Sequence, residues 1–271
     1  MIRVELSKLL RSRRTWVTIG LVDALPTLVA VLLALTDLGP RPGTGPAFLS
    51  AVMTDGTLFP LAALAIVLPL FLPLVVAITA GEAIAGEAQQ GTLRYLLVRP
   101  VGRARLLLAK LVSVMAFVAL TVVVVGATAY VVGALLLGDE QLTTGATSVS
   151  GTSLTTPELV ARTLLALAYA MLSMLGVAAI ALFLSTVVRS PLAAALGTMG
   201  ILISSTLLLT LDAADSFRAF LPTRYWLAFV DLFRDPIFWR DLERGVLLQA
   251  AYVVVFLAAA WANFATKDIT D

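Results

Sequence analysis

The sequence contains no histidine and no cysteine, and only 13% of its 271 residues carry a full charge. Without imidazole and thiol groups, the chain cannot build a His/Cys zinc site, a Ser-His or Cys-His nucleophile pair, or a disulfide. Soluble domains carry roughly twice this share of charged residues. The low charge, the 60% apolar composition and the mean hydropathy of +0.99 are together typical of a chain that lies in a lipid bilayer.

A nucleotide-binding loop of the Walker A type is also missing. That loop needs a lysine directly after a glycine, so that the lysine reaches the terminal phosphates. The three lysines, Lys8, Lys110 and Lys267, follow Ser, Ala and Thr. We therefore predict that the chain is not an enzyme and holds no cofactor, and that any ATP-driven function requires a second polypeptide. Its net charge of +2 comes from Lys and Arg close to the apolar runs, which indicates membrane topology and no nucleic-acid partner.

Long apolar runs predict a single transmembrane domain over residues 1–271 with six spans, each needing about 20 apolar residues. The predicted spans are about 16–36, 58–80, 108–137, 160–187, 191–211 and 246–265. Residues 163–211 are interrupted only by Arg189, yet as one helix they would measure about 73 Å. We therefore expect a hairpin, in which Ser190 caps the next helix and Pro191 occupies its first position. The same logic places the start of the fourth span at Thr156-Pro157-Glu158.

The distribution of Lys and Arg predicts the orientation. With the N-terminus in the cytoplasm, twelve basic residues lie inside and seven outside. We therefore expect a multi-pass protein of the cell membrane with both termini cytoplasmic. Five of the seven outer basic residues lie in one loop, residues 212–244.

The two segments predicted on the outer side differ in composition and in expected structure. Residues 138–156 are rich in Gly, Ser and Thr and contain no aromatic residue, so we expect little structure there. Residues 216–240 form an outer segment bracketed by Pro222 and Asp235-Pro236. Four of its apolar side chains fall at helical spacing: Trp226, Phe229, Val230 and Phe233. This spacing predicts a helix that lies in, or re-enters, the outer interface.

Residues 2–14 predict a basic amphipathic helix on the cytoplasmic membrane surface. Its candidate interface residues are Arg3, Glu5, Lys8 and Arg11. One interpretation is an anchor attracted to anionic lipid. The other is an interface helix that also touches a cytoplasmic partner.

The connection between the second and third predicted spans, residues 81–106, is longer than a turn requires. It carries two acids, Glu82 and Glu87, and then Thr92, which can cap a short helix at residues 93–98. We expect an outside partner to bind this loop. The alternative is that its arginines only hold the loop inside and that Glu87 pairs with one of them.

This loop carries a pattern of an acid, Gly-Thr-Leu, paired leucines, Pro and Arg. Its residues here are Glu87, Gly91, Thr92, Leu93, Leu96, Leu97, Pro100 and Arg103, followed by Leu-Leu-Leu-Ala-Lys at 106–110. The pattern resembles the permease subunits of the type-2 ABC exporter family. The resemblance implies an all-α integral membrane fold of six transmembrane helices, with an N-terminal amphipathic interface helix and a membrane-associated outer segment before span 6. It also implies a cytoplasmic coupling helix between spans 2 and 3.

The same resemblance implies partners and a function. The permease would form a homodimer with a second copy and bind two cytoplasmic ABC ATPase subunits, which hold the ATP and Mg²⁺. It would export a hydrophobic or amphipathic substrate, such as a drug, an antibiotic or a lipid, by alternating access. The implied ATPase-coupling residues are Glu82, Glu87, Gly91, Thr92, Arg94, Arg99, Pro100, Arg103 and Arg105.

Asp23 is an acid well inside a predicted span, about eight residues from its cytoplasmic end and three before Pro26. An ionisable residue in hydrocarbon is costly and is a functional candidate by default. It favours an alternative function, an ion-coupled secondary transporter. The structural interpretation is that Asp23 faces the protein interior and caps backbone groups freed by Pro26. Four glycines are predicted to allow close helix packing: Gly126, Gly133, Gly197 and Gly200.

Overall fold

The structure is a computed structural model that describes residues 2–36, 56–90, 103–137, 146–147, 152–212 and 215–266. These described residues form eight α-helices, three 3₁₀ segments and one pair of two-residue strands. The helices are α1 (Ile2–Arg11), α2 (Arg13–Leu35), α3 (Phe59–Val67), α4 (Phe71–Gln89), α5 (Arg103–Leu136), α6 (Thr156–Val187), α7 (Pro191–Leu209) and α8 (Trp239–Thr266). The 3₁₀ segments are Gly56–Leu58, Arg218–Phe220 and Trp226–Phe233, and the strands are β1 (Ala146–Thr147) and β2 (Ser153–Leu154).

Within these ranges, six helices are long and apolar enough to cross a membrane, namely α2, α4, α5, α6, α7 and α8. The prediction of six spanning helices in an all-helical membrane protein is thereby confirmed. The long helices exceed the bilayer: α5 has 34 residues and α6 has 32, which corresponds to about 50 Å each against a core of about 30 Å. They therefore project beyond the hydrocarbon region.

The second predicted span, 58–80, is not one continuous helix. α3 ends at Val67, and α4 begins at Phe71 after a three-residue turn. Pro69 has no N–H to continue the ladder of α3, and the ring of Pro73 would clash with the carbonyl group four residues earlier. The spanning helix is α4, which continues through residue 89 into the stretch that the sequence assigned to the coupling loop.

The outer segment 216–240 is also different from its prediction. It contains short 3₁₀ segments, and Trp226, Phe229 and Phe233 are buried against the bundle. Long side chains of α6 and α8 donate hydrogen bonds to backbone carbonyls of this segment. They join Arg162 to Leu232 and Arg234, Tyr169 to Tyr225, Gln249 to Pro222 and Tyr252 to Phe220. These long-range bonds satisfy carbonyls before, within and after the 3₁₀ segment Trp226–Phe233 and hold the outer segment against α6 and α8.

Capping residues define the starts of α6 and α7. The Ser190 hydroxyl accepts a hydrogen bond from the Ala193 N–H, and Pro191 opens α7, as predicted. For α6 the cap is Thr155, one residue earlier than Thr156, and its backbone N–H donates to the Glu158 carboxylate at 2.9 Å. The strand pair of β1 and β2 precedes this cap, so residues 138–156 hold more structure than the sequence indicated.

α6 is the central helix of the bundle and packs against α4, α5, α7 and α8. Two thirds of its most apolar stretch is buried, whereas α2 and α8 bury about a fifth of theirs. The predicted packing role holds for Gly126, which lies against Leu167, and for Gly133, which lies against Gly56. Gly197 lies against Leu184, but Gly200 has no neighbour within 4 Å in the part of the chain that the structure describes.

Contacts between distant residues define a shared end of the bundle. We call it the basic end; it is formed by α1, the starts of α2, α5 and α7, and the ends of α4, α6 and α8. Contacts here join α2 to α4, α1 and α4 to α5, α4 to α6, and α8 to α6. Both ends of the described chain therefore lie on the same side of the bundle.

Candidate functional site

The basic end brings together acids and bases that the sequence separates by up to 105 residues. α1 supplies Glu5 and Lys8, and α2 supplies Arg14. The last turns of α4 supply Glu82 and Glu87. These charged residues lie at or near helix ends, while apolar residues of the same helices pack within the bundle.

Lys110 is the central residue of this end. Only 6% of it is exposed, although lysine is rarely buried without a partner. Its ammonium lies 3.4 Å from a Glu5 carboxylate oxygen and also forms an ion pair with Glu87. Because these residues belong to α5, α1 and α4, this Lys110 cluster (Lys110, Glu5 and Glu87) joins three helices.

A second ion pair joins α2 to α4. The Arg14 guanidinium lies 2.6 Å from Glu82, and both side chains are partly exposed. An exposed pair of this kind contributes only about 0–1 kcal/mol to stability. Its importance is positional, because it fixes the end of α4 next to the start of the first span.

Six predicted site residues have described side chains at this end, with different outcomes. Glu82, Glu87 and Glu5 are in contact with basic partners, whereas Lys8 lies at 3.9 Å from Glu5. Arg11 and Arg105 are exposed on α1 and α5. Gly91, Thr92, Arg94, Arg99 and Pro100, with the predicted coupling helix, lie outside the described residues, as do the side chains of Arg3 and Arg103.

The sequence interpretation did not identify Arg14 and Lys110 as the bases that pair with Glu82 and Glu87. One alternative paired Glu87 with an arginine of its own loop; the ion pair of Glu87 among the described residues is with Lys110. A signal was present in the sequence, since Lys110 is a single charge within the apolar stretch 106–120. Because an unpaired charge is costly to bury, a basic residue in an apolar stretch must either extend to the surface or form an ion pair with an acidic residue.

Ser185 makes a buried joint between α6 and α4. Its hydroxyl donates to the Gly81 carbonyl at 2.6 Å and accepts from the N–H groups of Ile84 and Ala85 at 3.2 and 2.9 Å. The joint lies within the last turns of α4, where Gly81 precedes Glu82 and Ile84 and Ala85 follow it. No local pattern predicts it, because the partners lie about a hundred residues apart.

Gly81 also allows α7 to approach α4 closely. A Cβ atom at this position would lie 3.1 Å from the Pro191 carbonyl oxygen and 3.2 Å from the Ala195 nitrogen. Both neighbours are backbone atoms at the start of α7, which cannot move aside as a flexible side chain can. The end of α4 is therefore fixed on four sides, by α2, α5, α6 and α7.

A cavity of about 380 Å³ opens beside these ion pairs, between α1, α2, α4 and α5. Its lining includes Lys8, Arg14 and Glu82 at one end and Val75 and Phe117 at the other. This volume lies within the ~300–1,000 Å³ typical of small-molecule sites. No group of three Asp or Glu side chains in the described ranges is arranged to hold a metal ion.

Asp23 lies midway along α2, apart from the basic end. Its carboxylate is hydrogen-bonded to Thr128 of α5. The other oxygen, Oδ1, is buried and has no hydrogen-bond partner among the residues that the structure describes. The interpretation that Asp23 caps backbone groups freed by Pro26 is therefore replaced by a contact between two spans.

Comparison with known proteins places the chain in a family without assigning it an activity. A search of curated proteins finds no match. A family described as "Protein of unknown function (DUF2705)" matches residues 29–270, which include all of the described spans except residues 13–28 of α2. A match over nearly the whole chain, from within the first span to the residue before the last, shows that this six-span protein belongs to the DUF2705 family.

Proposed function

We propose that this chain is the membrane-spanning permease subunit of an ATP-driven ABC exporter. The observation that carries the proposal is the Lys110 cluster. Residues 91–102 connect α4 to α5, and the cluster joins the end of α4, the start of α5 and the surface helix α1. A partner that pushes on residues 91–102 would therefore displace three helices together.

The motion would not stop at these helices. α4 is bonded to α6 through Ser185, and its Gly81 lies against the backbone of α7. Closely packed helices respond to force as bodies, because their interfaces do not deform continuously. In this proposal, ATP closes two partner ATPases, residues 91–102 receive the motion, and α6 and α7 shift to release substrate on the opposite side.

The proposal assigns the energy source to another polypeptide. ATP and Mg²⁺ bind to two cytoplasmic ATPase subunits, which the permease, as a homodimer, engages from the basic end. The excess of Lys and Arg at this end supports placing it, with both termini, in the cytoplasm of a cell membrane. The apolar interior supports a hydrophobic or amphipathic cargo.

The test is to co-express the full chain with an ABC ATPase from a neighbouring reading frame, where one occurs, purify through the permease and measure ATP hydrolysis in liposomes. We expect co-purification and permease-dependent hydrolysis. Arg99→Glu should reduce both, because it reverses a charge in the predicted coupling region. Arg240→Glu is the matched control, since Arg240 is exposed at the opposite end. Transport by the chain with no ATPase present would refute the proposal.

Asp23 supports a second candidate, an ion-coupled secondary transporter. Its buried Oδ1 and its position inside a span are features of proton and ion pathways. In this alternative, Asp23→Asn abolishes uptake or efflux driven by a proton gradient in liposomes that contain the chain alone. Unchanged transport in the variant would remove the alternative.

A further inference from the structure

The cavity at the basic end has a charged rim and an apolar floor. Lys8 and Arg14 at the rim leave 69% and 65% of their side chains exposed, whereas Val75, Val114 and Phe117 at the floor are at most 8% exposed. Phe117 follows Lys110 by seven residues in α5, which is about 10 Å along the helix. Because α1 is a surface helix, the cavity extends from the level of lipid headgroups into the hydrocarbon.

Hydroxyl side chains line the wall between rim and floor. They are Ser12, Thr15, Thr18, Thr79 and Ser113. The Thr18 and Thr79 hydroxyls donate to the Arg14 and Val75 carbonyls of their own helices. Ser12, Thr15 and Ser113 can donate to the glycerol and ester region of a lipid, which accepts hydrogen bonds but carries no charge. The order of charge, hydroxyl and hydrocarbon along the cavity is therefore the order along a glycerophospholipid.

The accessible charge at the rim is positive. The acids beneath it are less exposed than the bases, at 20% for Glu5 and 38% for Glu82. Lys8 lies 3.9 Å from Glu5, too far for a hydrogen bond, so its ammonium keeps its donors. Arg14 contacts Glu82 through one terminal nitrogen, and a guanidinium has five N–H donors. Both bases can therefore bind a further anion.

We propose that this cavity binds one anionic glycerophospholipid from the leaflet on the α1 side. Its phosphate lies on Lys8 and Arg14, and the first part of one acyl chain lies against Val75 and Phe117. The 380 Å³ volume holds a headgroup and a short length of chain, while the remaining lipid stays in the bilayer. The bound lipid joins α1 to α2, α4 and α5 at the basic end. This inference does not depend on the proposed transport activity.

The experiment is native mass spectrometry of the full chain released from micelles, after addition of phosphatidylglycerol or phosphatidylcholine. We expect one retained phosphatidylglycerol and at least about fivefold less phosphatidylcholine, since a basic residue near the surface contributes about 1 kcal/mol toward anionic lipid. Inorganic phosphate and glycerol phosphate form the other arms. Competition by either of them at the lipid's own concentration would show a plain anion site and overturn the lipid assignment.

Substitutions at two lining residues, Arg14 and Ser113, test the position of the site. Arg14→Gln should reduce phosphatidylglycerol retention about fivefold, and Arg14→Lys should restore most of it. Arg13→Gln is the matched control, because this neighbouring arginine is exposed but does not line the cavity. Ser113→Leu keeps every charge and fills the wall of the cavity, so it should also reduce retention.

Equal retention in the Arg13 and Arg14 variants would reduce the effect to general surface charge and overturn the proposal. Full retention in Ser113→Leu would do the same, since the lipid would then lie outside the cavity. A monodisperse elution profile for each variant establishes that it is folded. The Ser113 variant keeps the test valid even if the loss of the Arg14–Glu82 pair disturbs α2.

Discussion

Replacing Lys110 by methionine tests the Lys110 cluster most directly. Methionine has a similar length and no charge, so the space is filled while Glu5 and Glu87 lose their shared cation. Their carboxylates then lie near each other without the cation between them, with only 20% and 18% of the side chains exposed. We expect a loss of stability and a looser attachment of α1.

The size of the stability loss expected for Lys110→Met follows from the burial of Lys110 and its two acids. Exposed ion pairs contribute about 0–1 kcal/mol, whereas removing one partner of a fully buried pair costs about 3–5 kcal/mol. Lys110 is nearly buried and its acids are about one-fifth exposed, so the cost should lie between these limits, at about 2 kcal/mol. Glu87→Gln should cost about 1 kcal/mol, because Lys110 keeps Glu5.

The assay is equilibrium unfolding in mixed micelles, with the four members of a double-mutant cycle compared. In Lys110→Met with Glu87→Gln, the buried carboxylate is already neutral, so the double variant should lose about 1 kcal/mol less than the sum of the singles. Arg105→Met is the control, since this arginine is exposed on the same helix and its loss should change stability by about 0.5 kcal/mol or less.

Two results would refute this reasoning. Strict additivity of the single variants would show that Lys110 and Glu87 do not interact in the folded protein. An equal loss in the Arg105 and Lys110 variants would show that the cluster contributes nothing beyond ordinary surface charge.

Two further predictions concern packing within the bundle. Ser185→Ala should destabilise the protein by about 1–2 kcal/mol, because it removes the hydroxyl that joins α6 to α4. Ser173→Ala should cost less, because the Ser173 hydroxyl donates to the Tyr169 carbonyl within its own helix. Gly245→Ala should cost about 1–3 kcal/mol in the same unfolding assay, because the added Cβ would overlap the Tyr169 hydroxyl. Gly200→Ala should be neutral or slightly stabilising, because no described atom would lie within 4 Å of the added Cβ. Equal effects within either pair of variants would contradict the packing described.

Patterns along the chain predicted features that depend on local chemistry. The spanning helices follow from apolar length, and the start of α7 follows from Ser190-Pro191. The same method placed one span at 58–80, because apolar composition does not show where two prolines interrupt a helix. It also predicted an α-helix at Trp226–Phe233, where the structure has a 3₁₀ segment whose Leu232 carbonyl accepts a hydrogen bond from Arg162 of α6.

The sequence by itself showed that this is a membrane protein with six helices long enough to span a bilayer. It also showed the excess of basic residues near one end and the absence of a Walker A loop, since each of these features depends on composition or on neighbouring residues. Only the tertiary structure decided which acids meet which bases. Lys110 contacts Glu5, which is 105 residues away in the sequence, and Ser185 contacts Ala85, which is 100 residues away. No periodic pattern in the sequence predicts contacts at such separations. Packing selects these partners, because a buried charge or hydroxyl is stable only where the fold brings it a partner.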